Sequence, residues 1–197
     1  MFVQIIEGTT KNRDALIAAG DAWQKEVRPK AVGYLGATAG VTADGKAFTL
    51  ARFEDEAAAR ANSERPEQSA WFEKHLAPAY DSPPTFTESS DITEFMGGGS
   101  DEAGFVQVMK SKGVDRAEIE RLDKVFEEFV GERPDILGGL RAWTGPDSCI
   151  DVMYFTNEAD ARKGEQAEVP DGLKEAMADF EGMGETEYLD LVDPQLH

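Results

Sequence analysis

Apolar and polar positions along this chain change their period in a recurring order. The opening run "FVQII" from Phe2 is short and rich in β-branched residues, which predicts a strand. After "EGTTKNRD", Leu16, Gly20, Trp23 and Val27 fall at helical spacing, which predicts an amphipathic helix ending before Pro29. "VGYLGATAGV" and "AFTLARF" then flank "TADGK", whose Asp44-Gly45 pair is a hairpin signal. A second helix is expected over "EDEAAARANSERPEQSAWFEKHL", interrupted at Pro66, and a closing strand over "TFTESSDITEF".

The same order returns about a hundred residues later. "FVQII" recurs as "FVQVM" at Phe105, and "RFEDEAAAR" recurs as "YFTNEADAR" ending at Arg162. Ile119, Leu122, Phe126 and Phe129 repeat the helical spacing, opened by a capping pattern at Asp115 and Glu118. Trp23 falls where Phe126 does, Arg28-Pro29 where Arg133-Pro134 does, and Gly33 where Gly138 does. "GPDS" is the second hairpin turn and "TEYLDLV" the second closing strand. The glycine-rich "MGGGSDEAG" reads as a connector, giving units at 1–96 and 104–197 joined by a linker at 97–103. Each unit is then βαββαβ, the ferredoxin-like order, with both helices on one sheet face and the other face bare. Two such units can cover each other sheet to sheet, so the expected fold class is α+β, a barrel of the dimeric type built within a single chain.

Charge narrows the partners. With 39 acidic against 20 basic residues and a formal charge of -19, the field repels phosphate backbones and anionic headgroups, so neither nucleic acid nor a membrane is an expected partner. The opening "MFVQIIEGTT" lacks the form of a signal peptide and no apolar run reaches spanning length, which places the protein in the cytoplasm as an expectation. Two histidines and one cysteine cannot build a zinc site of the usual nitrogen and sulfur ligands, so no metal is expected. Phosphate-binding glycine loops and a GxSxG elbow are absent from the sequence. Cys149, in the strand-like "SCIDVMYF", reads as a small buried residue, and the terminal His197 as a frayed one.

In the first unit, "LARFEDEAAARANSERPEQSAWF" resembles the antibiotic-biosynthesis-monooxygenase-like proteins of the dimeric α+β barrel superfamily, here in tandem. The resemblance implies a small apolar or aromatic molecule held between the helices and the sheet of the N-terminal unit. It also implies cofactor-independent oxygenation, in which Asn62 and Arg65 stabilise an enolate or phenolate oxygen and Trp71 holds the ring. Gln4, Tyr34, Phe72 and His75 complete the implied ligand contacts. A haem-binding or haem-degrading reading through His75, four residues beyond Trp71, is the alternative, although Gln4 stands where the haem-degrading pattern has asparagine. A third reading is a non-catalytic ligand-binding or interaction protein. The bland roles stay open: Trp71 as a core anchor, Gln4 in a cross-strand hydrogen bond, Asn62 as a cap, Arg65 paired with a carboxylate, and His75 at a helix C-terminus. The second unit has no equivalent of Asn62, Arg65, Trp71 or His75, which points to one working site, in the first unit. Association of two such chains into a homodimer is left open.

Overall fold

A computed structural model describes residues 1–197 in backbone and every side chain except that at position 181. It contains two compact units, one of Met1–Ile92 with Asp190–His197 and one of Thr93–Leu189.

The first unit runs β1 (Phe2–Thr9), α1 (Arg13–Glu26), β2 (Tyr34–Val41), β3 (Lys46–Phe53), α2 (Glu56–Ser63), α3 (Pro66–Trp71) and β4 (Thr85–Ser89). Asn12 caps α1 by accepting the Ala15 N–H at 3.1 Å, and Asp55 caps α2 by accepting that of Ala58 at 2.8 Å. Pro66 opens α3 at the position where a missing N–H costs nothing. β3 pairs antiparallel with β1, placing Phe2 opposite Phe53, and with β2, placing Ala39 opposite Thr49. β4 flanks β1 on its other edge. Val3, Ile5, Phe48 and Leu50 are fully buried in the sheet, while Trp71, Leu76, Tyr80, Ala19 and Val27 form the cluster beside the helices.

Beyond Trp71 the helix widens into a π turn over Phe72–Leu76. Such a turn adds a residue to the helical repeat, so side chains four apart no longer stack on one face.

The second unit includes β5 (Ile92–Phe95), apart from Ile92 itself, then β6 (Phe105–Lys112), α4 (Arg116–Phe129), β7 (Ile136–Gly145), β8 (Ser148–Phe155), α5 (Glu158–Glu165), α6 (Asp171–Glu181) and the start of β9 (Glu185–Leu196). Asn157 caps α5 as Asp55 caps α2, and Ala161 packs between Phe105 and Phe155 as Ala59 does between Phe2 and Phe53. Asp115 accepts the Ala117 and Glu118 N–H groups, but the Glu118 carboxylate turns to Arg121, so the reciprocal half of the capping box is not made. In this unit β6 and β7 flank β8, with β5 on the edge of β7 and β9 beside β6.

Three details differ from the sequence-based expectation. The segment over 85–95 is two strands, β4 and β5, because Ser89 turns the chain by bonding at Asp91. The bulge glycines that match are Gly36, opposite Arg52, and Gly138, opposite Tyr154; Gly33 lies in the preceding turn. His197 is not frayed: its N–H donates to the Ala37 carbonyl at 3.0 Å and its carbonyl accepts from Ala37 at 2.8 Å. Among the described residues no helix is long and apolar enough to cross a membrane.

Candidate functional site

Small residues on β2 and β3 leave space beneath the helices of the first unit. Ala37, Ala39, Ala47, Thr49 and Ala51 form the floor, Gly20 of α1 removes a side chain from the roof, and together they leave a cavity that opens to solvent. Its walls are aromatic: Trp23, Tyr34, Phe53, Trp71 and Tyr80. Trp23 and Tyr34 lie 4.6 Å apart at a 55° tilt, and Tyr34 meets Phe53 edge-on at 5.8 Å. Both indole N–H groups are engaged by protein, Trp23 donating to Gln68 Oε1 at 2.8 Å and Trp71 to the Ala19 carbonyl at 2.9 Å. The two indoles therefore present only apolar surface to the cavity.

Polar groups are few. Gln4 lines the floor and donates through Nε2 to Glu88 Oε1 at 2.9 Å, and Arg60 holds the same carboxylate at 2.5 and 3.0 Å. Burial alone pushes the Tyr80 hydroxyl up to about 12, so this lining residue is a neutral phenol. Arg13, at the mouth, pairs with Asp193 at 3.0 Å.

Of the residues singled out from the sequence, Gln4, Tyr34, Asn62 and Trp71 line this cavity, whereas Arg65, Phe72 and His75 do not. Trp71 is core and wall at once, only 7% exposed. Asn62 is 5% exposed, and its amide donates to the Val32 carbonyl at 2.8 Å and the Ala58 carbonyl at 2.9 Å while accepting from Arg65 at 3.3 Å. It holds the turn before β2 against α2. Arg65 reaches back to the Val27 carbonyl at 3.4 Å and lies 3.9 Å from the Glu67 carboxylate. Phe72 packs on Phe86 at 6.1 Å, and His75 faces Glu26 at 3.8 Å. The π turn separates His75 from the face that Trp71 presents.

Sequence reasoning passed over Trp23, Phe53, Tyr80 and the end of β9. One signal for the cavity was present: "ATA" at 37–39 and "AFTLA" at 47–51 set Ala37, Ala39, Ala47, Thr49 and Ala51 at alternate positions, on a sheet face that helices cover and large side chains ordinarily fill.

The second unit fills the same positions. Strand register matches Ala39 with Arg141, Thr49 with Asp151, Ala51 with Met153 and Val41 with Trp143, and the equivalent of Gly20 on α4 is Asp123. Arg141 donates to Asp151 and Asp123, both at 2.7 Å, in a buried three-residue network. Burial pushes the Asp151 carboxyl up to about 6 against the pull of Arg141. Cys149 is buried beside it, and burial with the Asp151 charge pushes its thiol up to about 12, which removes the thiolate a nucleophile would need. Among the described residues no group of three or more histidine, cysteine or acidic side chains is arranged to hold a metal ion.

No protein-family model matches the chain and no curated protein matches it. Solved structures do. A protein from Lactobacillus acidophilus described as a "putative monooxygenase" superposes with a TM-score of 0.71 at 13% identity, covering 99% of this chain and 95% of that one. A protein of the same description from Fusobacterium nucleatum gives 0.75 at 10% identity, covering 100% and 93%. An anthrone oxidase-like protein gives 0.67 at 12% identity, covering 99% and 92%. The chain thus shares the α+β fold of these solved structures, with the βαββαβ order occurring twice in one polypeptide.

Proposed function

We propose that the first unit binds a small, planar, largely apolar aromatic molecule and oxygenates it without a cofactor. The observation that supports this reading is the aromatic-walled cavity beneath α1, hollow in the first unit and filled at the matching positions of the second. Two of the solved relatives are described as "putative monooxygenase" and one as anthrone oxidase-like, which is the chemistry the reading carries over. An anthrone-type CH₂ flanked by aromatic rings can give a proton to water and become an enolate, add dioxygen and take the proton back as a hydroperoxide, and leave as the ketone once the O–O bond breaks with loss of water. Such a reaction asks the protein to hold the ring, exclude bulk water and meet the developing oxygen charge. Trp71 and Trp23 supply the ring contacts, and Gln4 and Thr49 are the polar groups of the floor. In this reading Asn62 and Arg65 act by fixing the wall rather than by touching the oxygen, since the Asn62 donors are engaged and Arg65 is outside the cavity.

Oxygen uptake with a panel of anthrones and quinols tests the reading. Uptake is expected with at least one member, accompanied by quenching of tryptophan fluorescence. Binding without uptake would leave a ligand-binding protein, and neither binding nor uptake would sink the proposal. The haem alternative has less support, because His75 faces Glu26 and not the cavity; a Soret band developing on titration with haem and lost in His75→Ala would revive it.

A further inference from the structure

The last residues of the chain belong to the first compact unit, and Val192, Asp193, Gln195 and His197 all line its cavity. They are held there by backbone. Leu196 pairs with Thr38, Gln195 with Ala39 and Val192 with Val41, and Ala37 and His197 exchange both hydrogen bonds. Residues two apart on a strand share a face, so Gln195 and His197 look the same way. Arg13 of α1 clasps the segment from the other side, bonding the Val192 carbonyl and the Asp193 carboxylate.

Three glycines make the seat. A Cβ on Gly40 would come within 2.8 Å of Leu191 Cβ, and one on Gly36 within 2.2 Å of the His197 carbonyl oxygen. The third, Gly20, is inside a helix, where glycine is less favourable than alanine. There a Cβ would meet Gln195 Oε1 at 2.9 Å, so the absent side chain leaves room for that carboxamide.

The chemistry of the remaining wall shows why this matters. Both indole N–H groups are engaged and the Gln4 amide nitrogen is bound to Glu88, so beside the Tyr80 and Thr49 hydroxyls the wall offers few polar partners. The Gln195 carboxamide makes no hydrogen bond to protein among the described residues. A ligand that buries an oxygen in an apolar cavity must find a partner for it or lose stabilisation.

We infer that the end of β9 is the recognition wall of this cavity, with the Gln195 carboxamide, and His197 beside it, receiving the oxygen function of an oxygenated aromatic ligand. The inference rests on the aromatic-ligand reading above and adds the specificity-determining residues: the site distinguishes a phenol or enol from the bare hydrocarbon through the terminal strand.

Calorimetric titration of the full chain with 2-naphthol and with naphthalene separates the two levels. The wild-type protein is expected to bind both, 2-naphthol more tightly. In the double variant Gln195→Ala with His197→Ala, affinity for 2-naphthol falls roughly tenfold, the loss of a hydrogen bond or two, while that for naphthalene stays within about twofold. Retained naphthalene binding also shows that the cavity is intact. Unchanged affinity for 2-naphthol in the double variant would overturn the inference and leave the aromatic-site reading standing. An equal loss for both ligands would also overturn it, making the strand end a mere scaffold. A wild-type protein that binds neither would remove both readings.

Discussion

Compare the positions of β2 and β3 that face the cavity with those of β7 and β8. The backbone frame is the same: each pair has a bulge at a glycine, Gly36 or Gly138, and Ala39 faces Thr49 as Arg141 faces Asp151. Yet one frame encloses open space and the other a charged network. Glycine, alanine and threonine in the first unit stand where aspartate, arginine, methionine and aspartate stand in the second. The difference teaches that hollowness here is a matter of side-chain volume at a handful of positions, not of fold. A buried arginine bridging two carboxylates is a costly way to fill space, because desolvation offsets most of the Coulomb attraction. It does fill it, and it ties α4 to β7 and β8, where the first unit leaves α1 spanning a gap.

The largest effect should come from breaking the filled site. Arg141→Ala leaves Asp151, 3% exposed, without its partner, and is expected to destabilise the protein by about 3–5 kcal/mol in denaturant unfolding. A loss under about 1 kcal/mol would show that the network does not hold the second unit together.

Next is Asn62→Ala. A simple surface residue there would cost about 0.5 kcal/mol and a cap a little more, but the buried amide with two carbonyl acceptors predicts a loss of about 1–2 kcal/mol, read as a shift in the unfolding midpoint. Retention of ligand affinity in the folded variant would agree with a wall-fixing role; its abolition, with stability unchanged, would return Asn62 to the ligand.

The smallest stability effect and the sharpest functional one should come from Ala51→Met, which imports the residue of Met153 into the hollow unit. Because the methionine enters empty space, stability should change by less than about 1 kcal/mol, while binding of 2-naphthol should be lost. Full binding by this variant would mean the ligand lies elsewhere.

What could be read from the sequence follows from the range of the forces involved. Asn12, Asp55, Asp115 and Asn157 each cap the helix that follows within three residues, so their role is written locally. Helical and strand periods, the two hairpin turns and the doubled βαββαβ order are likewise sums of near-neighbour preferences, and the α+β class follows from them. That Trp71 and Tyr34 pack along the cavity was legible because aromatic side chains on those elements must pack against something. The placement of Arg65 and His75 outside the cavity was not legible, since a flexible guanidinium goes wherever carbonyls await it and one π turn rotates everything after it.

The sequence by itself determined the elements, their order and their repetition, and its doubled alanines hinted at a cavity. Only the tertiary structure decided that residues 190–197 pair with β2 in the first unit, that 85–95 splits into two strands, and that Arg141, Asp123 and Asp151 meet. The reason is physical. Caps and periods are fixed by contacts a few residues apart, whereas strand partners and cavity volume depend on which distant surfaces complement one another, and no local preference encodes that choice.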